Sequence, residues 1–558
     1  MKLLLTAINA KYIHSNLAVY SLSAAAGSRS CVELAEFTIN HRTEEILQEL
    51  YLRKPDVLLF SCYIWNIVYV RELVENCRKI MPGVPVWLGG PEVSWNAEEF
   101  LRENPGADGI LCGEGEETFR RLVECYENGQ ADTDNLTAIP GLVFRDRAKK
   151  RICSNPPARL PDLNEIPFPY TGVSEFENRI IYYESSRGCP FSCSYCLSSV
   201  EKSVRFRSLD KVCRELQFFL DRKVPQIKFV DRTFNSRKSH AVAIWKYILE
   251  HDNGITNFHF EIEAELLDEE ELELLGCMRP GLVQLEIGVQ SANQNTLTAV
   301  RRKTDLEQLE TVVAQIRKRH NIHQHLDLIA GLPFEDYSSF GRSFDRVFSM
   351  HPEQLQLGFL KVLKGAPMYQ DAEKYGIVYR SQPPYEVLST PWLSFGDLLR
   401  LKMIEEMVEI YYNSHQFQKT LEKLIPCFAS PFSFFEELSC FYRANQEGQK
   451  SSRARKYELL LLFAAQRFPE EEDRYRELLT IDYYLRERAK ARPSFAPDQS
   501  RYKEEIREIQ KILPRQVHIE AVTGEGAAPR ILVFDYEKRD PLTGDALLTC
   551  LEAERGER

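Results

Sequence analysis

The sequence predicts an α/β chain in three parts: a doubly wound, Rossmann-like N-terminal sheet, a central partial (β/α)6 barrel and a mainly helical C-terminal domain. Three observations carry this. Short apolar runs alternate with amphipathic segments up to about residue 130 and again from about 180 to 370, a proline-rich stretch separates the two series, and helical periodicity prevails after Trp392. A chain of 558 residues is in any case too long for one hydrophobic core.

In the first series, strands are expected over residues 3–8, 32–37, 56–62, 84–88 and 109–112, with helices such as 68–80 and 116–126 between them. This alternation builds a parallel sheet that binds ligands at the carboxyl ends of its strands, here the loops 9–16, 61–66, 89–95 and 113–117. Residues 1–132 form this part. Residues 133–175 read as a connector stiffened by Pro140, Pro156, Pro157, Pro161, Pro167 and Pro169. The barrel, residues 176–390, has strands expected over 180–185, 226–230, 258–264, 283–289, 325–330 and 355–360. In the last part, residues 391–558, the stretches 403–412, 456–467 and 473–489 read as helices and 517–522 with 530–536 as a hairpin. Phe432, Phe434, Phe435, Phe441 and Tyr442 there read as core.

Composition narrows the class. The hydrophobic fraction is an ordinary 44%, and no apolar run is long enough to span a membrane. The start, Met-Lys-Leu-Leu-Leu, reads as a strand and not as a signal peptide. Fourteen cysteines, scattered except in one loop, fit reduced thiols, so a cytoplasmic protein is expected. A net charge of −11 excludes general nucleic-acid binding through a basic surface.

The exceptional loop is Arg187-Gly188-Cys189-Pro190-Phe191-Ser192-Cys193-Ser194-Tyr195-Cys196, a CxxxCxxC spacing. Three sulfurs so spaced can hold three corners of an iron-sulfur cube. Such cubes normally take four cysteines, so a three-cysteine loop leaves one iron for another ligand. The competing readings are a structural zinc site and three core cysteines. Zinc sites pair such knuckles with a second Cys or His pair, and none follows before Cys213.

This loop closely resembles that of the radical S-adenosylmethionine (SAM) superfamily. The resemblance implies a 4Fe-4S cluster on Cys189, Cys193 and Cys196, with the amino and carboxylate groups of SAM completing it and Tyr195 near adenine. Further segments resemble SAM contacts in the same order. Asp231, in Val-Asp-Arg-Thr-Phe, is implied for the ammonium, and Gln290 and Ser291, in Gly-Val-Gln-Ser, for the ribose, with Gln290 replacing the family's usual Glu. Leu332, in Asp-Leu-Ile-Ala-Gly-Leu-Pro, is implied near adenine. Glu261, Glu263 and Glu265 alternate along one strand, and Glu263 is taken as a further SAM contact. His323, His325 and Asp327 alternate likewise and read as substrate contacts, with a metal triad as the alternative. Arg301-Arg302-Lys303 reads as a solvated helix entry.

Gly89-Gly90-Pro91-Glu92 and Gly113-Glu114-Gly115-Glu116 resemble the "GGPH" and "GEGE" loops of the cobalamin-binding domains that precede radical SAM cores, with Glu92 where the family often has His. Cobalamin contacts are thereby implied at Asn9, Ser61, Cys62, Gly89, Gly90, Pro91, Gly113, Glu114 and Gly115. No DxHxxG segment is present, so a cobalamin without a histidine lower ligand is expected, with His14 a surface or nucleotide-tail contact. The C-terminal part is similar to the uncharacterised domain of one subgroup of these proteins.

The resemblance implies a cobalamin-dependent methyltransferase that cleaves SAM reductively and acts on an unactivated carbon. Its substrate would be a small molecule or peptide, and its reductant a flavodoxin or ferredoxin. The alternatives are a non-methylating radical cyclase or rearrangement enzyme, a tRNA methylthiotransferase, and a non-catalytic cobalamin sensor.

Overall fold

The computed structural model describes residues 1–27, 31–173, 176–445, 452–489, 491–513, 516–523 and 530–552. The chain divides into two compact units. The first comprises residues 1–277, 300–302 and 360–390, and the second 278–299, 303–359 and 391–558.

The first unit opens with a seven-stranded sheet. Its strands are β1 (Leu3–Asn9), β2 (Val32–Thr38), β3 (Val57–Ser61), β4 (Val86–Gly89), β5 (Gly109–Leu111), β6 (Leu142–Asp146) and β7 (Arg151–Ser154), in the order β2-β1-β3-β4-β5-β6-β7. β1 is buried along its whole length, as a parallel strand covered on both faces must be. Helices Ile67–Ile80 and Glu116–Glu127 lie where the periodicity puts them. The core beneath gathers Leu4, Ile8, Leu58, Phe60, Leu73, Phe100 and Ile110. Part of the expected connector differs. Leu142–Asp146 and Arg151–Ser154 pair as an antiparallel hairpin that extends the sheet from β5. The stretch Leu-Val-Phe-Arg-Asp is a strand signal, and the prolines on either side mask it.

The same unit carries the start of the second strand–helix series: β8 (Ile181–Tyr183), the short ribbon β9 (Ser186–Arg187) and β10 (Arg205–Phe206), β11 (Gln226–Phe229) and β12 (Asn257–Ile262). β11 pairs in parallel with both β8 and β12. Because β12 ends at Ile262, Glu265 falls in the 3-10 turn Ala264–Leu266 and leaves the predicted row of three glutamates.

The second unit holds β13 (Val283–Gln290), β14 (His323–Ala330) and β15 (Gln354–Phe359), all parallel, so three strand–helix units fall in each body. β13 alternates strictly between buried and half-buried residues. Its apolar face, with Leu285 and Ile287 fully or almost fully buried, is opposed by a polar one. Among the described residues, eleven helical segments follow β15 between Pro367 and Ile512, and those after Pro391 belong to this unit. Phe432, Phe434, Phe435 and Tyr442 are buried, as expected. The predicted hairpin gains a third strand: Val517–Val522, Arg530–Arg539 and Ala546–Glu552 form one antiparallel sheet. No helix among the described residues is long and apolar enough to cross a membrane.

Candidate active site

The cysteine loop is built on backbone constraints. Gly188 sits at φ +105, and a Cβ there would lie 2.5 Å from the Ser203 carbonyl oxygen, so no other residue fits. Ser194 ties the loop down twice: its N–H donates to Val300 O at 2.9 Å and its carbonyl accepts from Met368 N at 2.7 Å. Cys189 and Cys193 are buried, Cys196 is half-buried, and all three thiols are free.

Arg302 is the residue that reading the sequence missed. It is not a solvated helix entry. Its side chain is 9% exposed, with one guanidinium nitrogen 3.9 Å from Cys193 Sγ and the other donating to Glu263 Oε1 at 2.7 Å. Burial pushes the Cys193 thiol up, while Arg302 and the Tyr195 hydroxyl pull it back. A buried cation beside a thiol favours the thiolate, the form that binds metal. Nothing in a run of three basic residues tells which one turns inward. Glu263 is fixed by its neighbour Asn235, whose side chain bonds both its backbone N–H and its carbonyl.

Two expected SAM contacts change. Asp231 is fully buried and accepts from Ser185 N, Ser185 Oγ and Ser186 Oγ at 3.0, 2.6 and 2.6 Å. It secures the chain between β8 and the cysteine loop and offers no face to a ligand. Ser291 is also fully buried and donates its hydroxyl to Glu335 at 2.7 Å. Gln290 ends β13 half-buried at φ +71, and Leu332 is buried. These last three belong to the second unit, whereas the cysteines, Tyr195, Asp231 and Glu263 belong to the first.

A cavity of about 510 Å³ lies at the carboxyl ends of the first sheet. Leu5, Leu59, Leu88 and Leu111 give it an apolar floor. Of the nine expected cobalamin contacts, Ser61, Gly89, Gly90, Pro91, Gly113, Glu114 and Gly115 line it. Asn9 and Cys62 do not. Asn9 spends its amide on His14 O and Glu36, and the Cys62 side chain is completely buried. Gly90 is required by the chain itself, since at φ +117 a Cβ would meet Cys62 O at 2.5 Å. Gly113, at φ +77, has open space where a Cβ would go, and only its backbone conformation calls for glycine. His14 bonds the Tyr182 hydroxyl at 2.7 Å and is absent from the lining.

The cavity's charged wall includes Glu114, Glu116, Glu184 and Arg187. Arg187 reaches all three carboxylates, at 2.6, 2.8 and 2.8 Å, and Arg205 also bonds Glu114. Burial pushes the Glu116 carboxyl up, but the charge and hydrogen bonds of Arg187 outweigh it and hold the group below its usual range. Arg187 immediately precedes Gly188-Cys189, so one side chain joins the GEGE-like loop to the cysteine loop.

Three family models match the chain in succession: the B12 binding domain over residues 3–123, the Radical SAM superfamily over 183–347, and a protein of unknown function (DUF4080) over 373–527. The chain thus carries a Radical SAM domain, with a B12-binding domain before it and a DUF4080 domain after it. It is similar to the cobalamin-dependent radical SAM methyltransferase TokK of Streptomyces tokunonensis, with 28% identity over 63% of this chain and 54% of that protein. It is also similar to the anaerobic magnesium-protoporphyrin IX monomethyl ester cyclase of Rubrivivax gelatinosus, with 21% identity over 63% of this chain and 66% of the cyclase. The chain therefore spans about half the length of TokK. The fold is that of the cobalamin-dependent SAM radical enzyme OxsB, with TM-score 0.60 and 15% identity over 91% of this chain and 81% of OxsB.

Proposed function

We propose that the chain is a cobalamin-dependent radical SAM methyltransferase acting on an unactivated carbon of a small molecule or peptide, in the cytoplasm, with a flavodoxin- or ferredoxin-type reductant. The observation that carries this reading is Arg187, which links the wall of the glycine-shaped cavity to the loop of three free thiols. Cys189, Cys193 and Cys196 would hold the 4Fe-4S cluster, with SAM beside Tyr195 and Glu263. Seven of the cavity residues, Ser61, Gly89, Gly90, Pro91, Gly113, Glu114 and Gly115, would hold cobalamin. When bound, the cluster and SAM supply one-electron carbon-radical chemistry and cobalamin supplies a transferable methyl group.

The residues have separable tasks. Arg302 supplies a buried counter-charge to the thiolates and to Glu263. Asp231 holds the strand end from which the loop departs. The leucine floor excludes water from the deep end of the cavity. The proposed domains are 1–132, 133–175, 176–390 and 391–558, and Leu142–Asp146 and Arg151–Ser154 of the second segment belong to the first sheet.

The similarity to a cyclase supports a second reading, radical ring formation without methyl transfer. Reconstituted protein incubated anaerobically with SAM and a strong reductant separates the two. Methyl transfer releases S-adenosylhomocysteine together with 5'-deoxyadenosine, a cyclase releases 5'-deoxyadenosine alone, and release of neither would overturn both readings.

A further inference from the structure

Outside the cysteine loop, the described residues include one compact cluster of ligating side chains. Glu286, His325 and Asp327 offer two carboxylate oxygens and one imidazole nitrogen, all within 4.8 Å of one another. Strand alternation puts them on one face, because Leu285, Ile287, Leu326 and Leu328 fill the opposite, buried face. Register then sets the spacing. Glu286 is the partner of His325 across β13 and β14, and Gly288 is the partner of Asp327, so no side chain from β13 stands against the aspartate. On the other side, β15 presents Gln354 opposite His325 and Gln356 opposite Asp327. The seat is polar and shared by two carboxylates.

We propose that Glu286, His325 and Asp327 bind one divalent transition-metal ion, Mn2+ or Fe2+ by ligand class. An imidazole with two carboxylates is a borderline-to-hard donor set. Ligands about 2.1 Å from one ion lie roughly 3 Å apart when adjacent and at most about 4.2 Å apart, so atoms now within 4.8 Å of one another close onto an ion by side-chain rotation of up to roughly 1–2 Å. The His325 Nε2 to Asp327 Oδ1 separation of 3.0 Å is that of adjacent ligands on one ion as well as that of a hydrogen bond. Three protein ligands leave coordination positions for water or for oxygens of a substrate. The site stands whether or not the chain transfers a methyl group.

The test is Mn2+ titration of the full-length chain, followed by loss of the free-ion electron paramagnetic resonance signal. It is run on protein reconstituted with an oxidised cluster and on the variant with Cys189, Cys193 and Cys196 all replaced by Ala. Both should bind one Mn2+ per chain. His325→Ala and Asp327→Asn should each weaken binding at least tenfold, while Glu261→Gln should leave it unchanged. His325→Gln, which keeps the site polar, guards against loss of the fold and should also weaken binding, with circular dichroism unaltered. Absence of stoichiometric binding, or binding indifferent to the His325 and Asp327 substitutions, overturns the site.

Discussion

Glu263 and Asp327 are both carboxylates in rows of alternating polar residues near strand ends, yet their settings are opposite. Glu263 meets a buried guanidinium at 2.7 Å and sits beside the cysteine loop. Asp327 meets an imidazole and a second carboxylate on a polar face. One carboxylate is neutralised by the chain, whereas the other belongs to a group that gathers negative charge. Alternation fixes which face a side chain takes, and the partner that decides its chemistry arrives from elsewhere in the chain. Arg302 reaches Glu263 from 39 residues away.

The comparison breaks most completely at the cysteines. Cys189→Ala, Cys193→Ala or Cys196→Ala should each abolish SAM cleavage and deplete the cluster, while Cys213→Ala leaves both intact. Iron and sulfide analysis with 5'-deoxyadenosine release measures this. Equal damage from Cys213→Ala would reassign the ligands. The next effect is at Arg302. Arg302→Met should keep iron and sulfide content but reduce SAM cleavage roughly 10–100-fold, as expected when a group supporting a metal ligand is lost. Asp327→Asn should leave the SAM-induced change in the reduced-cluster spectrum intact. If both substitutions changed that spectrum alike, the two carboxylates would not be serving different sites.

The glycines sharpen the contrast on a smaller scale. Gly90→Ala forces a Cβ to 2.5 Å from Cys62 O at φ +117, and a cost of about 1–3 kcal/mol with weakened cobalamin retention is expected. Gly113→Ala meets open space, so only the backbone cost of about 1 kcal/mol applies. Denaturant midpoints of the two variants in the absence of cobalamin distinguish these. Equal losses would mean that the Cys62 carbonyl yields.

Much of this was legible beforehand. Five parallel strands of the first sheet and six of the second series fall within a few residues of where apolar runs put them, because parallel strands covered by helices must be apolar. The cysteine loop and the glycine loops are local, so their residues stand together in the sequence. What was not legible is long-range pairing. The resemblance of Val-Asp-Arg-Thr-Phe implies Asp231 as a ligand contact, but Ser185 and Ser186, 46 and 45 residues earlier, engage its oxygens. Ser291 is consumed in the same way by Glu335. The β6–β7 hairpin lay hidden among prolines that are compatible with the ends of a strand and not with its middle.

The pairing of Ser291 with Glu335 is tested by pH. Glu335 is fully buried, and burial pushes its carboxyl from the usual 4.5 up to about 7, with the Ser291 and Ser343 hydroxyls opposing the rise. A carboxyl whose folded value is raised holds its proton where the unfolded chain has released it. Stability from this group is therefore full below about pH 4.5 and declines as pH rises toward 7. Glu335→Gln keeps the shape and removes the titration. Its urea midpoint relative to the parent chain should rise between acid and neutral pH, by the equivalent of at most about 1.4 kcal/mol for each pH step of one between those two values. A midpoint difference independent of pH would show that Glu335 is ionised in the folded chain, held by more than two serines, and would reopen Ser291 as a ligand contact.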